Sequence, residues 1–127
     1  MENFAHVNWL AVITGTIVSF IGCWIWYSPK VFGKKWAEGS GITLTPDSKP
    51  PVVALISQLV AFLLLATVIG ITATTDALIT AILAILTVAV FTFAAGGFVK
   101  KSAAAMIIES TYVIIAGVVM ILAQGIL

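Results

Sequence analysis

Apolar residues dominate four stretches of the chain, and the charged residues lie between these stretches. Within each one, Leu, Ile, Val, Phe and Ala recur with no Lys, Arg, Asp or Glu, apart from Glu109 in the last. A bilayer is crossed by about 20 apolar residues in a helix, and each stretch reaches that length. The stretches are residues 3–29, 50–75, 77–99 and 102–127.

Prolines and polar residues mark the ends of the predicted spans. Ser28-Pro29 ends the first span, because the residue before a proline is driven out of helical geometry. Pro51 suits the first turn of the second span, and Asp76 is expected to cap the third helix through its side-chain oxygen. The pattern predicts an all-α integral membrane four-helix bundle, built as two hairpins in a single domain over residues 1–127. The predicted spans are residues 8–27, 51–72, 77–98 and 103–124.

The composition supports a membrane protein and excludes other classes. Apolar residues make up 61% of the 127 residues and charged residues only 9%, whereas a soluble domain has about 25% charged residues. The net charge of +1 argues against nucleic acid as a partner, because phosphate contacts need a clustered basic surface. The single cysteine, Cys23, excludes an intrachain disulfide. No metal, phosphate-loop or cofactor motif occurs, so no cofactor is expected.

The lysines predict how the chain is oriented. All six fall into two segments, one between the first and second spans and one between the third and fourth. Four crossings put both segments on one side, and the positive-inside rule makes that side cytoplasmic. Residues 28–50 then form a cytoplasmic loop, and both termini are extracytoplasmic. The lysines are Lys30, Lys34, Lys35, Lys49, Lys100 and Lys101.

The loop between the first two spans contains a short amphipathic pattern. Phe32 and Trp36 are four residues apart with Lys34 and Lys35 between them, which predicts one or two helical turns lying in the headgroup region. The segment is either an interfacial connector, since Trp and Lys are common at membrane interfaces, or a binding loop.

Glu109 is the one acidic residue inside a predicted span. It lies eight residues beyond Lys101, or about 12 Å along a helix, and so within the hydrocarbon. A carboxylate there costs about 3 kcal/mol on insertion scales. The side chain is therefore expected to face protein or water rather than lipid, and it is a candidate functional group.

Each of the other spans carries polar residues at a depth similar to that of Glu109, and Tyr112 lies beside Glu109 on the same helix face. We predict an intramembrane polar layer that binds a substrate or an ion. The alternative is that these groups only satisfy one another through interhelical hydrogen bonds. The proposed layer consists of Glu109, Tyr112, Gln58, Thr92 and either Cys23 or Ser19.

Small residues recur at helical spacing on the first two spans. They allow helix backbones to approach closely in lipid, either within one chain or between protomers. On the first span the stripe consists of Asn8, Ala11, Gly15, Ser19 and Gly22, and on the second it consists of Ala66, Gly70 and Thr74.

Two motifs resemble a known family. Residues 8–12, Asn-Trp-Leu-Ala-Val, and residues 26–36, from Trp26 to Trp36, resemble the N-terminal signature of the domain of unknown function 1761 family of small polytopic membrane proteins. Residues 109–112, Glu-Ser-Thr-Tyr, resemble the family's last-helix pattern, in which Asn or Asp usually precedes a small pair and Tyr. Here the acid is one methylene longer, and Val113 stands where His or Gln is expected. The resemblance implies a prokaryotic plasma-membrane protein and brings no established activity.

Three functions fit the sequence. A homo-oligomeric transporter or channel for protons, cations or a small solute would use Glu109 as its binding group. A non-catalytic scaffold or accessory subunit would associate with a larger membrane partner. A membrane enzyme would act on an apolar substrate. The first explains the intramembrane acid and is favoured for that reason.

Overall fold

The computed structural model describes residues 4–43 and 52–127, which form helices and turns. Lys49 and the predicted start of the second span at residue 51 lie outside these ranges. A short 3-10 turn, Phe4–His6, precedes five α-helices. These are α1 (Trp9–Trp26), α2 (Gly33–Ser40), α3 (Val52–Ala73), α4 (Leu78–Phe98) and α5 (Ala103–Ile126).

Four of these helices are long and apolar enough to cross a membrane, and they are α1, α3, α4 and α5. Their bounds lie within two residues of the predicted spans. The predicted fold class, an all-α bundle with four apolar spans, is confirmed. The fifth helix, α2, is an eight-residue segment between the first two spans.

The helix hairpins place both lysine-bearing segments at one end of the bundle. Ser102, in the turn between α4 and α5, donates its backbone N–H to the carbonyl of Gly39 on α2 at 2.9 Å. We call this the lysine end. At the other end, a side chain on Gly70 of α3 would meet both Val7 and Gln124, so residues near both termini meet there. We call it the terminal end. That the lysine end is cytoplasmic stays a prediction.

Helix α5 is the centre of the bundle, since α1, α2, α3 and α4 all pack against it. The small residues of α1 make one of these contacts close. A Cβ on Gly15 would lie 3.3 Å from Cγ of Met120 and 3.4 Å from its Cα. Ala11 and Ser19 are also fully buried. The small-residue face of α1 therefore packs against α5 of the same chain. Its spacing alone had left open whether it packs within one chain or between protomers.

A second close approach joins α4 to α5. A Cβ on Gly117 would lie 2.5 Å from two side-chain atoms of Ile85, which is shorter than any normal carbon contact. Ala81, Ile85 and Ala89 are the buried residues along the middle of α4. Glycine at position 117 is thus what allows Ile85 to fill the groove between the two helices.

Three helices end in the same left-handed turn. In each, a residue with positive φ follows the helix, and its neighbour donates a 6→1 hydrogen bond to a carbonyl in the last turn. The residues with positive φ are Gly41 (φ 72°) after α2, Asp76 (φ 51°) after α3 and Lys100 (φ 60°) after α4. The 6→1 bonds run from Ile42 to Ala37, from Ala77 to Thr72 and from Lys101 to Gly96, at 2.9–3.0 Å.

The prediction that Asp76 caps the third helix is wrong. Ala77 occupies that capping position, and no side chain accepts a hydrogen bond there. Asp76 instead terminates α3, because its left-handed backbone completes the turn that satisfies the carbonyl of Thr72. Asp and Asn tolerate this conformation better than most residues.

The left-handed lysine at position 100 leads to a stability prediction. Replacing Lys100 with Gly should raise the free energy of unfolding by about 0.5–1 kcal/mol, because a residue with a Cβ is strained there and glycine gives back part of that gain through its more flexible unfolded state. Thermal unfolding in detergent measures the change. Lys35, also exposed but inside α2, is the matched control, and Lys35→Gly should cost about 1 kcal/mol. A lower melting temperature for Lys100→Gly would contradict the prediction.

Candidate functional site: an ion pair beneath an interfacial helix

Glu109 faces the protein, as expected for an acid in an apolar helix. It lies six residues after the start of α5, about 9 Å along the helix axis. Lys101 Nζ donates to its Oε2 at 2.6 Å, and Trp36 Nε1 donates to the same oxygen at 3.1 Å. The side chains of Lys101 and Glu109 are 22% and 15% exposed. The carboxylate is therefore held in a partly buried, charge-assisted pair.

Helix α2 brings Trp36 to the carboxylate. Its Gly33 and Ala37 are buried, and its Gly39 approaches Ser102 and Ala105 so closely that a side chain would not fit. The predicted headgroup segment is thus a helix packed on the first turns of α5. Its eight residues make about two turns, as expected, and Gly41 supplies the left-handed cap that ends it after Ser40.

Aromatic rings and the lysine complete the surroundings of Trp36. Its ring lies edge-on to Tyr27 with centroids 5.3 Å apart, and Lys101 Nζ lies 5.9 Å from its ring centroid, within cation–π range. Burial raises the pKa of Tyr27, and the nearby Glu109 carboxylate raises it further. Tyr27 therefore stays a neutral phenol beside the ion pair.

A second set of contacts joins α1 to α5 beside the ion pair. Trp26 Nε1 donates to the carbonyl of Ile108 at 3.0 Å, and the Tyr112 hydroxyl donates to the carbonyl of Ser19 at 2.5 Å. The Tyr112 ring also packs against Trp26 and Phe62, with centroids 5.6 and 6.1 Å away. Trp26 thus ties the first span to the fourth.

The residues of the proposed polar layer fall into separate places. Tyr112 and Ser19 are brought together, although through the Ser19 carbonyl, and the Ser19 hydroxyl is buried with no hydrogen-bond partner among the described residues. Thr92 donates to Val88 of its own helix at 2.8 Å. Gln58 is half-buried on α3. Hydrogen bonds from described residues reach Glu109 only from Lys101 and Trp36. A binding role for these five residues stays a prediction.

Sequence reasoning missed Lys101 and Trp36 as partners of Glu109. Both were assigned to the interface, where their residue types are common. A usable signal was present, because a long lysine side chain near a helix end extends along the membrane normal and shortens the 12 Å estimated from the backbone rise alone. In the part of the chain that the structure describes, no group of three His, Cys, Asp or Glu residues is placed to hold a metal.

These features define a class: a polytopic helical membrane protein with an ion pair between Lys101 and Glu109 beside the short helix α2. The family model described as "Protein of unknown function (DUF1761)" matches residues 10–125. The chain belongs to that family, and the resemblance seen in its motifs is confirmed. No curated protein and no solved structure matches the chain significantly.

Proposed function

We propose that the protein is a small transporter or channel in which the Glu109 carboxylate binds a proton or a small cation in competition with Lys101. A single observation carries this proposal. The hydrogen bonds from described residues all end on Oε2 of Glu109, and Oε1 lies on the side of Gly96 of α4, 3.6 Å from where a Cβ would stand. One carboxylate oxygen is thus held while the other is left for an incoming ion.

In this proposal the ion pair has two states, one with Lys101 bound to Glu109 and one with Lys101 released. Protonation of Glu109 would remove the charge that holds Lys101, and a lysine at the interface regains water by extending outward. Trp36 donates to the same oxygen, so the packing of α2 on α5 is coupled to the charge on Glu109. Binding at Glu109 would therefore loosen the lysine end, which is the kind of gating that transport requires.

More than one copy is part of this proposal. The interior of the single bundle is filled, since Val12, Ile69 and Met120 are at most 2% exposed. A continuous aqueous route then needs an interface between copies, because four packed helices fill their own core. We propose a homo-oligomer in the plasma (inner) membrane of a prokaryote, with the lysine end in the cytoplasm.

Reconstituted vesicles test the role of Glu109. Purified protein in liposomes that contain a pH-sensitive dye should carry protons or a monovalent cation, and Glu109→Gln should abolish that flux. Glu38→Gln is the matched control, because Glu38 is an exposed acid on α2 at the same end, and its flux should equal that of the parent. Equal flux through the parent and Glu109→Gln would overturn the proposal, as would a monomer in lipid nanodiscs.

A scaffold or accessory subunit is the second candidate, and one observation favours it. The charge of Glu109 is balanced inside one chain, by Lys101 at 2.6 Å, and Trp36 joins α2 to the same carboxylate, so the arrangement holds without any ligand. This candidate predicts no flux from the parent protein and a larger membrane protein that co-purifies in native lipid. Loss of that partner on Trp36→Phe, which removes the N–H that α2 donates to Glu109, would then measure the displacement of α2. No contact favours the third candidate, an enzyme acting on an apolar substrate.

A further inference from the structure

A cleft opens at the terminal end, far from the ion pair. It has a volume of about 330 Å³ and lies between α3, α4 and α5. Ile69, Ala81 and Ile121 form its apolar floor, and Thr72, Asp76 and Gln124 are its polar residues. Binding sites for small molecules are typically apolar cavities of at least about 300 Å³ with a few polar groups. The volume and lining of this cleft fit that description.

The charge of the cleft comes from one residue. Asp76 is exposed, and within residues 4–43 and 52–127 it forms no ion pair. The described lysines all lie at the opposite end of the bundle or on α2. A cationic ligand at Asp76 would therefore meet a carboxylate that no described cation pairs with, unlike the carboxylate of Glu109.

Two uncharged side chains of the cleft can accept hydrogen bonds from a ligand. Gln124 is half-buried and adjoins a second cleft of about 190 Å³ that also contains His6 and Asn8. Thr72 is buried, and its hydroxyl donates to the carbonyl of Ile69 at 2.7 Å. The Thr72 oxygen can still accept a hydrogen bond, and the Gln124 amide can accept one as well. Both groups thus suit an N–H donor from the ligand.

We propose that this cleft binds a small amphipathic amine. Its ammonium group lies at Asp76 with Gln124 and Thr72 as acceptors, and a short apolar tail covers Ile69 and Ile121. The volume limits the ligand to a few carbons beyond the amine. This site does not depend on the transport role of Glu109, because the two carboxylates are at opposite ends of the bundle.

Hexylammonium is a suitable probe, with hexanol and hexanoate as neutral and anionic molecules of the same tail length. Protein amide shifts recorded by NMR in micelles should saturate with hexylammonium at Ala77, Gln124 and Gly125. Hexylammonium should bind about two- to fivefold more tightly than hexanol, the gain expected from one exposed charge pair, and hexanoate should bind most weakly.

Two variants test the site itself. Asp76→Asn removes the charge while keeping a residue that tolerates the left-handed turn, and it should reduce hexylammonium affinity to that of hexanol. Gly125→Leu fills the cleft without a clash, because a Cβ there meets nothing within 4 Å, and it should weaken all three probes. Glu38→Gln, at the other end, should change none of them.

Clear outcomes would overturn the proposal. They are equal hexylammonium affinity in the parent and Asp76→Asn, hexanoate binding as well as hexylammonium, or shifts that rise linearly without saturation, as in simple partition into the micelle. Loss of flux in Glu109→Gln with hexylammonium binding retained would separate this site from the proposed transport function.

Discussion

Replacing Lys101 with Met is expected to lower the free energy of unfolding by about 2 kcal/mol. Among the described residues, the change leaves the Glu109 carboxylate with the Trp36 N–H alone as a partner, in a position that is 15% exposed. Breaking a fully buried pair costs about 3–5 kcal/mol, and an exposed pair contributes at most about 1 kcal/mol. The partly buried pair lies between these limits. Unfolding in mixed micelles of increasing SDS fraction measures the loss.

Glu109→Gln is the companion variant and should cost less, about 0.5–1 kcal/mol. The amide can still accept from Trp36, and the freed lysine can extend to water. The double variant, Lys101→Met with Glu109→Gln, removes both charges and should resemble Glu109→Gln. A double variant less stable than Lys101→Met alone would show that the ion pair is not the cause.

Replacing Gly117 with Leu is expected to destabilise the bundle by about 3 kcal/mol. The new side chain would occupy the space of Ile85, whose side-chain atoms lie 2.5 Å from the position of the added Cβ. Overfilling a packed core costs about 1–3 kcal/mol. The cost of Gly117→Leu is expected at the upper end of this range, because α4 must move away from α5 to relieve the clash.

The control is the same substitution eight residues later on the same helix. A Cβ on Gly125 meets nothing within 4 Å, so Gly125→Leu should leave the unfolding free energy within about 0.5 kcal/mol of the parent. Equal stability of the two leucine variants would contradict the assigned packing of α4 against α5. Thermal unfolding of both proteins in one detergent makes the comparison.

The four long helices were predictable because their ends are marked chemically. The residue pair Ser28-Pro29, the left-handed turn at Asp76 and the lysines after α4 each stop an apolar run that is long enough to cross a bilayer. The sequence also predicted a short helix around Trp36. It did not predict that Asp76 ends α3 rather than capping α4. Aspartate is common both at helix N-caps and in left-handed turns after a helix, and here the two positions are adjacent.

The candidate site was predictable only in part. Glu109 stands out because an acid in an apolar helix is costly. Its partners depend on how each helix is rotated about its axis and on how far a side chain reaches, and neither is contained in residue spacing. The estimate of depth from Lys101 counted only backbone rise, so it missed the reach of the lysine side chain back to the carboxylate. Thr92 bonds within its own helix, and among the described residues no hydrogen bond joins Gln58 or Thr92 to Glu109.

The central position of α5 bears on how the protein is made. The helices that pack against α5 precede it in the chain, so they leave the ribosome before their common partner exists. Until α5 is inserted, the small face of α1 and the indole of Trp26 lack the contacts that they make with α5. Completion of the tertiary structure is therefore tied to the insertion of the last helix.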